Sequence, residues 1–395
     1  MKLISRTVWI LSFVSLFTDM ASEMLYPIMP VYLKSIGFSI VVIGILEGVA
    51  EATAGLSKAY FGKRSDLSGK RVPFVQMGYV LSTISKPLMV LFTFPLWVFF
   101  ARTLDRFGKG IRTGARDAML SDQATPNTKG TVFGLHRSMD TLGAVLGPLL
   151  ALMYLYAFPY HYKMLFFIAF LPGLAAVFAS FFLKEHKIKR STTKQRVSFF
   201  SFLSYWKVST PKYRTLVVGF LLFTLFNSSD VFLLLKAKEA GCDDLLVIEL
   251  YIFYNLIYAA FALPIGILSD KIGMKRIFIF GLILFVLSYV GMSLNTNHYL
   301  FFGLFFVYGL YAAATEGISK AWISNITNTK DTATAIGTFT GFQSVCAMLA
   351  SSITGFLWFK FGATTALMVS ALGVCIVISY LIFVTKSMNT INEVG

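Results

Sequence analysis

Several acidic residues stand inside long apolar runs. Asp19 and Glu23 lie at i and i+4 in the run 7–33, and Glu47 and Glu51 repeat that spacing in the run 39–61. On a helix each pair shares one face. Two carboxylates that close in a low dielectric do not both ionise cheaply, so one of a pair is expected to hold a proton near neutral pH. That is the chemistry of a group that takes up and releases protons. The competing reading pairs each carboxylate with a cation on a neighbouring helix. Pro27 and Pro30 follow in the first run and predict a kink that frees backbone carbonyls toward a cavity.

The run 96–120 is the most heavily charged. It holds Arg102, Asp105, Arg106, Lys109, Arg112 and Arg116. At 100° per residue these six fall within about 120° of arc, a stripe that cannot face lipid. Arg102 and Arg106 are the cavity candidates, while Arg112 and Arg116 approach the end of the run, where solvation alone would explain them. The next run, 131–156, carries His136, Arg137 and Asp140, with His136, Asp140, Gly143 and Gly147 on one stripe. A histidine on an aspartate's face can relay protons or form a structural pair. Lys86, beside Pro87, is expected to partner a glutamate of the second run. The later runs are sparser, with Asn227 and Asp230, then Glu316 and Lys320. Tyr251, Tyr254, Asn255 and Tyr258 form a stripe that suits packing or a binding face.

Helices must position these groups, and the composition says in what solvent. The chain has 395 residues, 56% hydrophobic and 14% charged. Twelve apolar runs are expected to be helices, near 7–33, 39–61, 72–94, 96–120, 131–156 and 163–183, then 214–236, 245–267, 276–294, 299–323, 333–358 and 362–385. Each is near the roughly 20 residues a membrane span needs. The expected fold is an all-α integral membrane protein. Its domains are a first six-helix bundle over 1–183, a basic linker over 184–213 and a second bundle over 214–395. Between Lys184 and Arg214 the chain has nine Lys and Arg and one acid, Glu185. Such a loop belongs in the cytoplasm, which places both termini inside. Phe199–Trp206 is apolar and aromatic and suits a short interfacial helix. The apolar run from Thr7 is too long for a cleavable signal.

The net charge of +16 sits in clusters between apolar runs, an orientation signal rather than a nucleic-acid footprint. Cys242, Cys346 and Cys375 are scattered and imply neither disulfides nor a metal site. There is no Walker phosphate loop, catalytic triad or zinc motif, so no enzyme activity and no cofactor is expected.

The two halves repeat. Gly62, Asp66 and Gly69 recur as Gly266, Asp270 and Gly273 at an offset of 204, and Ala118, Ser121 and Gly134 recur as Ala321, Ser324 and Gly337 at 203. Duplicated helical halves place a site at their interface near the midplane. The pattern G-x-x-x-D-x-x-G-x-[RK], between helices two and three and again between eight and nine, resembles the signature of the major facilitator superfamily, and the resemblance covers the whole chain. It implies a monomeric transporter of a small solute in the plasma (inner) membrane, working by alternating access, with Asp66, Arg71, Asp270, Lys275 and Arg276 as a cytoplasmic gate. Plain topology anchoring is the other reading of those charges. The family's helix-four arginine matches Arg106 by spacing and Arg102 by distance to the helix end. Gly143-x-x-x-Gly147-Pro148 resembles the motif of proton-driven exporters, which makes antiport the expected mode, although close helix packing explains the same residues.

The proton-coupling candidates are Asp19, Glu23, Glu47 and Glu51. The cavity candidates are Arg102, Arg106, His136, Arg137, Asp140, Asp230, Tyr254, Asn255 and Glu316. A proton-coupled importer, a divalent-metal or metal-chelate carrier using His136, Asp19, Glu23 and Asp140, and a transport-inactive sensor or assembly partner are the alternatives.

Overall fold

Helix starts in this chain are written by short polar residues ahead of apolar runs. In the computed structural model, which describes residues 4–26, 28–185 and 201–391, Ser5 Oγ accepts from the Val8 amide at 3.4 Å and opens α1 (Arg6–Glu23). Ser39 does the same for α3 (Ile40–Ser68), and Asp243 for α11 (Asp244–Ile272). Pro95 and Pro211 start α5 (Pro95–Asp122) and α9 (Pro211–Phe226), where the missing amide costs nothing. The other helices are α2 (Met29–Ser35), α4 (Val72–Leu91), α6 (Lys129–Ala157), α7 (Tyr162–Ser180), α8 (Ser201–Val208), α10 (Val231–Glu239), α12 (Met274–Leu294), α13 (His298–Asn325) and α14 (Thr332–Ile391). Gly362, at φ 86°, divides α14 in two.

Among the described residues, eight stretches are long and apolar enough to cross a membrane; one of them, Thr329–Phe383, has the length of two spans. The spans begun by α1, α3 and α5 carry the charged residues singled out above. The architecture is twelve spanning helices in two pseudo-symmetric sets of six. Outward-facing apolar side chains such as Leu171, Phe178, Leu372 and Ile376 present the lipid-compatible surface.

Two spans are broken, at equivalent places. The first stops at Glu23 and resumes at Met29, inside the run where a kink was expected; Pro27 itself lies outside the described residues. The seventh stops at Phe226 and resumes at Val231, across Asn227, Ser228, Ser229 and Asp230. The repeated signature also ends α3 and α11 alike. Gly69 has φ 64° and Gly273 φ 99°, conformations that a side chain disfavours. Of the expected interfacial segment, Phe199 and Phe200 lie outside the described residues and the rest falls in α8, with Trp206 against Tyr213 and Phe342.

The chain packs as two compact units. One comprises Met1–Thr125, Leu135–Tyr205 and Asn328–Gly341; the other comprises Pro126–Gly134, Trp206–Thr327 and Phe342–Gly395. The first turns of α6 therefore belong with the second-half helices, and the first turns of α14 with the first-half helices.

Within the first unit α6 packs backbone to backbone on α1. A Cβ on Gly147 would lie 2.6 Å from the Met20 carbonyl oxygen and 2.7 Å from the Met24 nitrogen, and one on Gly143 would meet the Leu16 carbonyl. Both are backbone atoms that cannot move aside. Gly147→Ala should therefore lower the melting temperature of the purified protein by about 3–8 °C, the effect of about 1–3 kcal/mol of overpacking. An unchanged melting curve would show that α6 has room to retreat.

Candidate functional site

A charged cavity lies in the first unit, at the break between α1 and α2. Asp19, Ser22, Glu23, Leu25, Tyr26 and Met29 form one wall. Ser85, Lys86 and Met89 of α4 and Arg102, Asp105, Arg106, Lys109 and Arg112 of α5 form the other. Small residues set the second wall: a Cβ on Gly108 would lie 2.7 Å from the Gly78 carbonyl oxygen, so α4 and α5 touch through their backbones. That contact brings the α4 side chains level with the charged stripe of α5. The stripe turns inward, as its spacing predicted.

Ion pairs tie α5 to α4 and to α3. Lys86 Nζ lies 3.7 Å from Asp105, an acid of α5, where the sequence pointed to a glutamate of the second helix. Arg102 lies 3.6 Å from the same carboxylate. Arg106 lies 3.9 Å from Glu51, which is half exposed. The Glu47 side chain lies outside the described residues. Arg112 is buried, in contrast to the solvated position that its place near the helix end suggested. It donates to Ser82 Oγ at 2.7 Å, and its guanidinium carbon lies 4.6 Å from the centre of the Tyr79 ring.

Beside this cavity is a buried acid–base group. Asp140 accepts from Arg137 at 2.8 Å and from the Ser15 hydroxyl, with Arg116 4.0 Å away. Arg116, also buried, holds Asp117 at 3.0 Å and donates to Ser15 Oγ at 3.3 Å. Asp19 stands beside this group: it lies one turn after Ser15 on α1, and a Cβ on Gly143, three residues after Asp140, would lie 3.2 Å from the Asp19 Cβ. Asp19 thus belongs to both the cavity and the buried group. His136 is buried nearby with Nε2 unpartnered. Among the described residues, no three of His, Cys, Asp and Glu gather as metal ligands.

The repeated signature makes two matching clamps. In the first unit Asp66 Oδ2 accepts from the Thr334 amide at 2.7 Å and the Thr334 hydroxyl at 2.8 Å. In the second, Asp270 accepts from the Gly130 amide at 2.8 Å and from the Thr131 amide and hydroxyl, both at 2.7 Å. Each aspartate holds the amides that open a helix, the position where a carboxylate is most favourable. Arg71 extends the first clamp to Asp66 at 3.4 Å, Asp122 at 2.5 Å and the Thr329 carbonyl at 3.1 Å. Glu185 accepts from the Arg71 and Val72 amides at 2.8 and 3.0 Å. Lys275 and Arg276 form no ion pair among the described residues, so the second clamp stands on Asp270.

The sequence model described as Major Facilitator Superfamily matches residues 11–248 and 241–392. An uncharacterised MFS-type transporter of Methanocaldococcus jannaschii is 34% identical over 362 residues, 90% of this chain and 89% of that one. The chain belongs to the major facilitator superfamily. The human organic anion transporter MFSD10 shares the facilitator fold, with a TM-score of 0.83 over 95% of this chain and 99% of that one at 16% identity. The multidrug resistance protein MdtH of Edwardsiella ictaluri is 22% identical over 83% of this chain and 79% of its own. As a facilitator, the chain is a multi-pass membrane transporter.

The second unit of the facilitator has its own polar centre, at the break between α9 and α10. Asp230 accepts from the Tyr254 hydroxyl and from Ser229 Oγ, the latter at 3.3 Å. Asn227 Nδ2 donates to the Tyr311 hydroxyl at 2.9 Å, and Tyr289 meets Ser228 at 3.2 Å. Tyr308 packs between Tyr254 and Tyr311, with ring centres 5.3 and 5.2 Å away. Asn255 instead donates back to the Tyr251 carbonyl, and Glu316 lies on α13. Sequence reasoning singled out Asp230, Tyr254 and Asn255 but not Tyr289, Tyr308 or Tyr311. It also passed over Lys86, Asp105, Lys109 and Arg112 as cavity residues, although the 100° stripe contained the three from α5. Thr131 and Thr334 were missed too, yet they obey the 203 offset already found.

Proposed function

We propose that this facilitator is a proton-coupled secondary transporter that moves a small organic solute across the plasma (inner) membrane by alternating access. The observation that carries the reading is the placement of Asp19 beside the buried Asp140: Ser15, one turn before Asp19 on α1, donates to Asp140, and Gly143, three residues after Asp140, abuts the Asp19 side chain. Two carboxyls this close in a low dielectric do not both ionise cheaply, so one of them holds a proton. Arg137 and Arg116 favour the charge on Asp140, which leaves Asp19, on the cavity wall, to carry the exchangeable proton. Glu23 lies one turn further along the same wall and Glu51 near its edge.

The Asp66 and Asp270 clamps serve as the gate in this reading. They hold the starts of α14 and α6 while the face carrying the basic linker is closed, and they break when it opens. The excess of Lys and Arg in that linker puts this face, and both termini, in the cytoplasm. The glycines behind the export expectation are used in packing α6 on α1, so Gly143-x-x-x-Gly147-Pro148 favours neither export nor import. Direction follows from charge instead. A proton on Asp19 removes a negative charge from the cavity, so an anionic solute would travel with the proton and a cationic one against it.

The test uses vesicles with a pH-sensitive dye inside and a panel of candidate solutes. Asp19→Asn should reduce solute-evoked proton flux by at least about 100-fold, the scale expected when a proton-transferring group is lost. It should spare exchange of solute for solute, which moves no net proton. Undiminished proton flux in Asp19→Asn would sink the proposal.

A further inference from the structure

Five cations and three acids line the cavity of the first unit, and the acids are shared unevenly. Asp105 lies within 4 Å of both Lys86 and Arg102, so one acid answers two cations. Among the described residues no carboxylate lies within ion-pair distance of Lys109 or Arg112. Arg112 is only 4% exposed; beyond its bond to Ser82 and the Tyr79 ring, its Nε is buried with no acceptor. An unpaired guanidinium away from water is expensive in any protein and more so inside a membrane. A transporter keeps such a group where the solute supplies the missing charge.

We propose that Lys109 and Arg112 form an oxyanion subsite, and that the solute is a small organic anion with a carboxylate, sulfonate or phosphate head and an apolar body. The two residues are at i and i+3 on the inward face of α5. Arg112 offers planar donors and Lys109 a mobile point charge, the pairing that suits an oxyanion. The opposite wall sets the orientation. Asp19 and Glu23 repel an anionic head, so the head lies against α5. Leu25, Met29 and Met89 take the apolar body. Taken with the proton site proposed above, on which the coupling alone rests, this makes the protein a proton–anion cotransporter.

Benzenesulfonate, benzyl alcohol and benzyltrimethylammonium share a ring and differ in charge, and can be compared as thermal stabilisers of the full-length protein in detergent. Benzenesulfonate should raise the melting temperature by about 3 °C, and the other two should not. The shift should vanish in Lys109→Gln and Arg112→Gln and persist in the surface control Lys212→Gln. Should Arg112→Gln fail to fold, Lys109→Gln alone decides. No sulfonate shift in the wild type, an equal shift with benzyl alcohol, or a shift that survives Lys109→Gln would overturn the subsite. Asp19→Asn separates the two proposals: a sulfonate shift that it preserves, together with undiminished proton flux, would leave the anion subsite standing and remove the proton site.

Discussion

Asp140→Asn should abolish transport in every mode, including solute exchange, and should destabilise the purified protein by about 3–5 kcal/mol, the cost of breaking a buried ion pair. The expectation rests on how many groups converge on this one carboxylate. It accepts from Arg137 at 2.8 Å and from the Ser15 hydroxyl, faces Arg116 at 4.0 Å, and is 7% exposed. Asparagine keeps the shape and one acceptor oxygen but removes the charge. Arg116 would retain Asp117 at 3.0 Å. Arg137 would lose the carboxylate that now accepts from it at 2.8 Å. Asp19→Asn differs in kind, because Asp140 keeps its charge and its bonds from Arg137 and Ser15. The pair of variants therefore separates a structural acid from a proton-carrying one. Thermal unfolding in detergent and counterflow in vesicles read the two effects. Wild-type exchange and stability in Asp140→Asn would show that the Asp140 charge is dispensable and would remove the basis for assigning the exchangeable proton to Asp19.

The twelve spans were legible because a bilayer imposes a length, and the two sets because duplication leaves a constant offset. Which faces turn inward was legible for α5, where six charges share about 120° of arc. Partners across helices were not. Lys86 pairs with Asp105 because Gly78 and Gly108 let α4 and α5 meet at their backbones, and helix rotation and tilt are not written in the spacing along either helix alone. The burial of Arg112 has the same cause. Counted along the chain it lies near the headgroup region, but Tyr79 and Ser82 of α4 cover it. Asp140 was read as one stripe with His136, yet apart from Arg137 its contacts come from Ser15 and Arg116 on other helices. The break in the seventh span had a visible signal, four consecutive polar residues from Asn227 to Asp230 inside an apolar run. The clamp threonines had one as well, since Thr131 and Thr334 stand at the offset of 203.

Asp270→Asn should shift the conformational equilibrium toward the state open on the linker side by about tenfold or more, and Asp66→Asn should shift it less. The two clamps match in geometry but not in support. Asp270 accepts three hydrogen bonds at 2.7–2.8 Å and, among the described residues, has no cation of its own. Replacing it with asparagine leaves one oxygen for three donors and turns charged bonds into neutral ones. Bonds to charged groups contribute about 1.5–3 kcal/mol each. Losing most of one such bond is enough for a tenfold change, which needs 1.4 kcal/mol. Asp66 accepts two bonds from Thr334, but Arg71 also ties the same region to Asp122 and to the Thr329 carbonyl. Those ties survive Asp66→Asn and hold the start of α14 in place. Arg71→Gln combined with Asp66→Asn should remove that difference and bring the first clamp level with the second. The measurement is alkylation of a cysteine placed at Gly337 or Gly134, each of which abuts backbone that a side chain cannot share while its clamp is closed: a Cβ there would lie 2.6 Å from the Lys58 or Ala262 carbonyl oxygen. Because cysteine at either position perturbs its own clamp, each is read against the same cysteine in the otherwise wild-type chain. Equal labelling rates with and without Asp270→Asn would reduce the repeated signature to a topology signal.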